Sequence, residues 1–240
     1  MPNSQKSIPF KDSSKPFYLP QVSIIKIEDL TKKSVMGEKN YTGIVPEHNT
    51  GEIINSVNSI ELNNTDEARA FFTEVKQRLL DVNSWHKIAG VFTANFQLTD
   101  KEGDEVNRTV KKGDHFKINI PGPGSVTGDG YDWVHVEDIN SVSKGDVESL
   151  GIRVRPASNP KSDSQEIAHF YSEDSTSNFI VTREGKKITA GIYDRNIKPN
   201  KDANPLDKTR DLLVGLGAIA GFSKFQWDKL AKGLLEREAG

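Results

Sequence analysis

The chain has 240 residues, is 35% hydrophobic and 28% charged, and carries a formal net charge of −2. That is room for one large domain with a sizeable core. No apolar run approaches the roughly 18 residues of a membrane span, no basic block marks a nucleic-acid face, and the absence of cysteine excludes disulfides, thiolate nucleophiles and Cys-based zinc sites.

The opening stretch MPNSQKSIPFKDSSKPF has no apolar core behind its lysines, so it does not read as a secretory signal. A cytoplasmic protein is the expectation. Residues 1–50 read as a poorly ordered or extended segment with one apolar run, Val22 to Ile27. Pro46, Asn49 and Gly51 mark a boundary, and residues 51–240 are expected to form a single domain. EIINSVNSIEL reads as a strand. In the helix that follows, Ala68, Phe71, Phe72, Val75 and Leu79 share one face, with Asn64 as cap and Glu67 placed to answer it. DVNSWHKIAG predicts a short second helix closed by Gly90.

Strands come next. Phe92, Ala94, Phe96 and Leu98 alternate with polar residues, as do Phe116, Ile118 and Ile120. YDWVHVED, GIRVR, IAHFY, NFIVTR and KKITAGIYD are five further candidates, the last two joined by a hairpin at Gly185. Near the end, Asn204 and Pro205 predict one helix start. That helix is expected to stop near Gly221, where Ser223, Gln226, Phe222 and Trp227 have the spacing of a capping box and staple for a second one. Trp227, Leu230, Ala231 and Leu234 form its apolar stripe. The fold class is therefore α+β: a curved antiparallel β-sheet with an N-terminal helix and a long, broken C-terminal helix packed on it.

The segments AFFTEVKQRLLDVNSWHKIAG and DLLVGLGAIAGFSKFQWDKLAKGLLE, with the strands between them, resemble the START and polyketide-cyclase-like helix-grip superfamily in topology. The resemblance covers roughly residues 52 to 238. It implies a sheet wrapped around the last helix, with a small apolar ligand held between them. The superfamily has no universal catalytic signature to carry over.

The candidate sites follow from the strand faces. The loop GPGSVTGDG fails both phosphate-cradling patterns: no lysine follows its glycines, Thr127 stands where a dinucleotide fingerprint needs glycine, and no helix follows. It reads as a connection, or as a contact loop over 121–130. Tyr131, Trp133, His135 and Glu137 share one strand face, opposite Val134 and Val136. Arg153 and Arg155 share another and suit a carboxylate or phosphate head group if that face is wrapped inward, with Tyr171, His169 and Tyr193 in the same constellation; a solvated sheet face is the plainer reading. The ligand-binding candidates are thus Tyr131, Trp133, Arg153, Arg155, Tyr171 and Tyr193. None of the five histidines has metal-ligand spacing, so neither metal nor cofactor is expected. His135, His169 and Glu137 are the weak candidates for acid–base catalysis. Val214–Gly221 carries three glycines, which suggests either close helix–sheet packing or room for a ligand.

Three functions remain open on the sequence. The leading one is binding of a small apolar or amphipathic ligand between sheet and C-terminal helix. Another is a cyclase- or hydrolase-type enzyme using the same cavity. The third is a protein-interaction module acting through the N-terminal segment or the 121–130 loop, with homo-oligomerisation possible.

Overall fold

The computed structural model of the chain describes residues 38–90, 93–120, 125–200 and 216–237, all within a unit spanning Ser34–Gly240. Strands β1 (Glu52–Glu61), β2 (Asn95–Thr99), β3 (His115–Asn119), β4 (Asp132–Lys144), β5 (Val147–Pro156), β6 (Thr176–Glu184) and β7 (Lys187–Ile197) form one seven-stranded antiparallel sheet. Its order is β1-β7-β6-β5-β4-β3-β2. Consecutive strands from β2 to β7 are therefore neighbours, and β1 adds to the far edge beside β7. Among the described residues the helices are α1 (Thr65–Leu80), α2 (Trp85–Ala89) after a 3-10 turn at Val82–Ser84, and α3 (Leu216–Leu234). They cover one face: α1 lies over β6, and α3 lies over β1 and β7 and against α2. This is the expected α+β, helix-grip-like arrangement. None of the described helices is long and apolar enough to cross a membrane.

Period-two alternation sets the inner face. Ile188, Ala190 and Ile192 of β7, Phe179 and Val181 of β6, and Ile152 and Val154 of β5 are all buried in the main core. The register shifts in β1 near Ile54 and in β4 between Val136 and Asp138. Such irregularities bend a strand and help curve the sheet. Trp85 sits fully buried at the centre, with ring centroids 4.7 Å from Phe179, 5.4 Å from Phe96 and 5.6 Å from Phe116. Its indole N–H reaches the carbonyls of Arg78 and Leu79, both at 3.2 Å, so its one polar atom is satisfied.

α1 forms as its pattern requires. Asn64 accepts the Glu67 amide at 2.9 Å, and Ala68, Phe71, Phe72, Val75 and Leu79 are its buried residues. α3 buries Trp227, Leu230, Ala231 and Leu234 as expected, but it runs unbroken through Gly221 and Ser223. The expected break fails because tertiary partners take the capping side chains. Ser223 pairs with the Tyr171 hydroxyl at 3.1 Å, and Gln226 accepts the Ala94 amide at 2.9 Å. Gly221 is exposed and costs about 1 kcal/mol without ending the helix. The expected cap at Asn204 and Pro205, the apolar run at Val22–Ile27, Phe92, and Val214 and Gly215 lie outside the described residues.

IAHFY is not a strand. Only Tyr171 makes an isolated bridge, to Pro199. Ala168 instead ties two strands together at their ends, donating its amide to Ala157 at 3.0 Å and accepting that of Trp133 at 2.8 Å. Ahead of β1, residues 38–50 lie across the outer sheet face. Ile44 and Val45 cluster with Ile180 and Tyr193, while Lys39 and Tyr41 both bond Glu184. Gly151 admits this crossing, since a Cβ there would lie 2.8 Å from the Ile44 side chain.

Candidate functional site

The inner and outer faces of the sheet divide the candidate residues. Trp133, His135, Glu137, Arg153, Arg155 and Tyr193 lie on the outer face, away from the helices. The valines between them are buried in the core. Arg155 meets Glu137 at 2.5 Å and Arg153 meets it at 2.8 Å, so one carboxylate serves two guanidiniums. Burial pushes the Glu137 carboxyl up, but the Arg155 hydrogen bond and both arginine charges push it further down, and the net shift is downward. Arg153 also donates to the Ile44 carbonyl at 3.2 Å, and Tyr193 accepts the Lys39 amide at 3.5 Å. Residues 38–45 thus cover part of this constellation. His135 sits across from His115, ring centroids 6.0 Å apart. Burial lowers the pKa of both histidines. Among the described residues no group of three or more histidines and carboxylates is placed to hold a metal.

Trp133 and Tyr131 anchor the glycine-bearing turn. The Trp133 indole donates to the Gly128 carbonyl at 3.2 Å, and a Cβ on Gly128 would lie 1.9 Å from the Tyr131 carbonyl. Lys117 stands 4.2 Å from the Tyr131 ring centroid. Residues 121–124 of the loop lie outside the described ones.

The inner face has its own site, at the Ser223 end of α3. A cavity of about 40 Å³ is walled by Phe96, Ile118 and Ile120 from the sheet side and by Phe222 and Trp227 from the helix. His169 and Phe170 close its rim, stacked with centroids 4.4 Å apart. The volume fits a water or two, since one water needs about 10–15 Å³ on this measure. Of the three acid–base candidates only His169 lines it. Its Nδ1 accepts the Tyr171 amide at 2.9 Å, which leaves the proton of the neutral ring on Nε2. Tyr171 stands behind, its hydroxyl on Ser223 and its pKa raised by burial.

Asp194 was not a candidate on the sequence. It follows Ile188, Ala190 and Ile192 on the inward face of β7 and is fully buried under α3. The Trp227 indole donates to its Oδ2 at 2.8 Å, while Oδ1 is buried without a hydrogen-bond partner. Ser177, across the β6–β7 register, is near enough to favour the anion but is not aligned on Oδ1. Burial pushes the carboxyl up to about 7 against the pull of Ser177, Trp227 and Arg195. One signal was legible: Asp194 breaks an otherwise apolar inward row. The spacing of the wall residues Phe222, Ser223, Gln226 and Trp227 is that of a cap and staple, which hides their place in the cavity.

No protein-family model matches the chain, and no curated protein matches it in sequence. Solved structures of similar shape exist. The hypothetical protein jhp0584 from Helicobacter pylori is 13% identical at a TM-score of 0.43, covering 76% of this chain and 88% of its own. Norcoclaurine synthase from Thalictrum flavum, in complex with dopamine and hydroxybenzaldehyde, is 8% identical at 0.35, covering 79% and 89%. The ginseng major latex-like protein 151 from Panax ginseng is 12% identical at 0.32, covering 71% and 97%. At these scores the fold description rests on the strand order and helix placement of this chain alone.

Proposed function

We propose that the protein binds a small, mostly apolar ligand between the sheet and the Ser223 end of α3. The observation that carries this is the cavity itself. It is walled by aromatic and aliphatic side chains, has His169, Ser223 and Gln226 as its polar edge, and leaves space between helix and sheet where close packing is the rule. In the closed form it holds water-sized occupants only. A ligand enters by displacing the half-buried rim residues Ile120, His169 and Phe222. Native mass spectrometry of the purified protein, compared with its denatured mass, tests for a resident ligand. Titration with the neutral dye N-phenyl-1-naphthylamine tests the cavity. We expect one saturable dye site, and at least about tenfold weaker binding in Ile120→Trp, which fills the space from the rim. A bare mass together with no saturable dye site overturns the reading.

A second reading, an acid–base enzyme in the same cavity, is favoured by one observation. His169 alone of the candidates lies on the rim, held in a single tautomer. It predicts that His169→Ala keeps the fold while abolishing any turnover found.

A further inference from the structure

The indole of Trp227 has two sides to its role. One part of the residue lines the cavity, and its N–H is bonded to Asp194 on β7. That bond crosses from α3 to the sheet and ends on a carboxyl whose other oxygen is buried with no partner. We infer that Asp194 is a positioning residue for the cavity: through Trp227 it sets whether the seam between α3 and the sheet is closed or open to a ligand. This rests on the binding reading above.

The physics is a linkage between ionisation and opening. A neutral Asp194 sits comfortably in the closed seam, accepting one hydrogen bond. An ionised one carries charge onto Oδ1, which is buried without an aligned hydrogen bond, and the cost of the missing solvation exceeds the gain from the charge-assisted indole bond and the nearby Ser177 hydroxyl. Water reaches Oδ1 if α3 lifts and Trp227 moves. The open state therefore binds the proton less tightly than the closed one, so raising the pH shifts the population toward the open state. The upward shift of this carboxyl, which burial causes despite three favourable neighbours, agrees in direction. An opening step also answers the size of the cavity, which is too small for an organic ligand as it stands.

The other charged groups around Asp194 do not take over this role. On α3, Lys224 is paired with Asp228 and touches Ser56. On β7, the guanidinium of Arg195 is turned to the outer face, where it holds Asn55 at 2.7 Å and pairs with Glu38. Tyr171 and His169 stand beyond Ser223. Tyr171 is held neutral by burial, and His169 offers its Nδ1 to a backbone amide. Glu52 on β1 acts on Tyr171, adding weakly to the upward push on its hydroxyl.

Two readouts test the inference. The first is the Trp227 indole N–H resonance, assigned by its loss in Trp227→Phe and followed from about pH 5.5 to about pH 8.5. We expect a titration with its midpoint near 7 in the wild type and a static signal in Asp194→Asn. The second is affinity for N-phenyl-1-naphthylamine, whose neutrality removes general charge effects. It should rise about tenfold across the same range in the wild type and stay flat in Asp194→Asn. A static wild-type indole signal, or the same dye curve in both proteins, overturns the inference. If no dye binds at any pH, the binding reading fails, and the indole titration still decides whether Asp194 governs Trp227. Should Asp194→Asn not fold, Trp227→Phe serves instead. Loss of the indole donor must move the midpoint of the dye curve to higher pH, and an unmoved midpoint sinks the idea.

Discussion

The two faces of the sheet spend their polar groups differently. On the outer face Glu137 answers Arg153 and Arg155, Glu184 answers Lys39 and Tyr41, and Glu38 answers Arg195. Each of these charges has an opposite partner; Arg153 Nε lacks an aligned hydrogen bond but lies 2.8 Å from the Glu137 carboxylate, and the neutral Asn178 Oδ1 has no hydrogen-bond partner. On the inner face the core is aromatic and aliphatic. There Glu148 is paired with Arg183, whereas Asp194 keeps one oxygen buried without an aligned hydrogen bond. A dense array of charge is thus the less reactive face. Partners that satisfy one another hold the structure together, and chemistry is left over where satisfaction is incomplete.

The sharpest way to break this comparison is through the inner core. Trp85→Ala removes the ring that Phe96, Phe116 and Phe179 pack against and should cost about 3–5 kcal/mol by denaturant unfolding. A loss below about 1 kcal/mol would mean that the centre is not close-packed. Next is the pH dependence of stability. The Asp194 carboxyl is pushed up to about 7 in the folded protein and returns to about 3.9 on unfolding. The native state then holds the proton more tightly, so its stabilising contribution is complete below about pH 4 and is lost as pH rises toward about 7. The whole effect is at most about 4 kcal/mol, and Asp194→Asn should remove that slope. A wild-type slope that survives in the variant would place its source elsewhere. The smallest effect belongs to the outer face. Glu137→Gln strips the shared partner from two partly exposed arginines and should cost about 1–2 kcal/mol, mostly at low salt. The Glu137 pKa is depressed, so the contribution of this group is present at neutral pH and lost as pH falls through its folded value.

Local pattern was enough for much of the fold. The spacing of Ala68, Phe71, Phe72, Val75 and Leu79 placed α1, and the alternation around Phe96 and Phe116 marked the apolar faces of β2 and β3; for β4 it left open whether the Val134 or the Trp133 face turns inward, and the structure buries the valines in the core. The hairpin at Gly185, with its positive φ, followed from turn chemistry. The equivalent turn at Gly145 was harder to see. Polar residues such as Asn140, Ser141 and Ser143 hide the far halves of β4 and β5, where the strands reach past the core into solvent. IAHFY misled for the opposite reason. Its composition is strand-like, but its backbone bonds go to Trp133 and Ala157 across strand ends rather than along a ladder.

By itself, the sequence determined which residues share a face, because helix and strand periodicity are properties of the local chain. It also determined the absence of thiol chemistry and of a long apolar span. Only the tertiary structure decided which face the helices cover, and hence that Arg153, Arg155 and Glu137 look outward while His169 and Asp194 look toward α3. It also decided that Ser223 and Gln226 bond to Tyr171 and Ala94 instead of capping a helix. The physical reason is common to both. A side chain's partner is chosen by what lies within about 3 Å of it in space, and residues separated by 52 or 132 positions along the chain become neighbours only once the sheet and helices have packed.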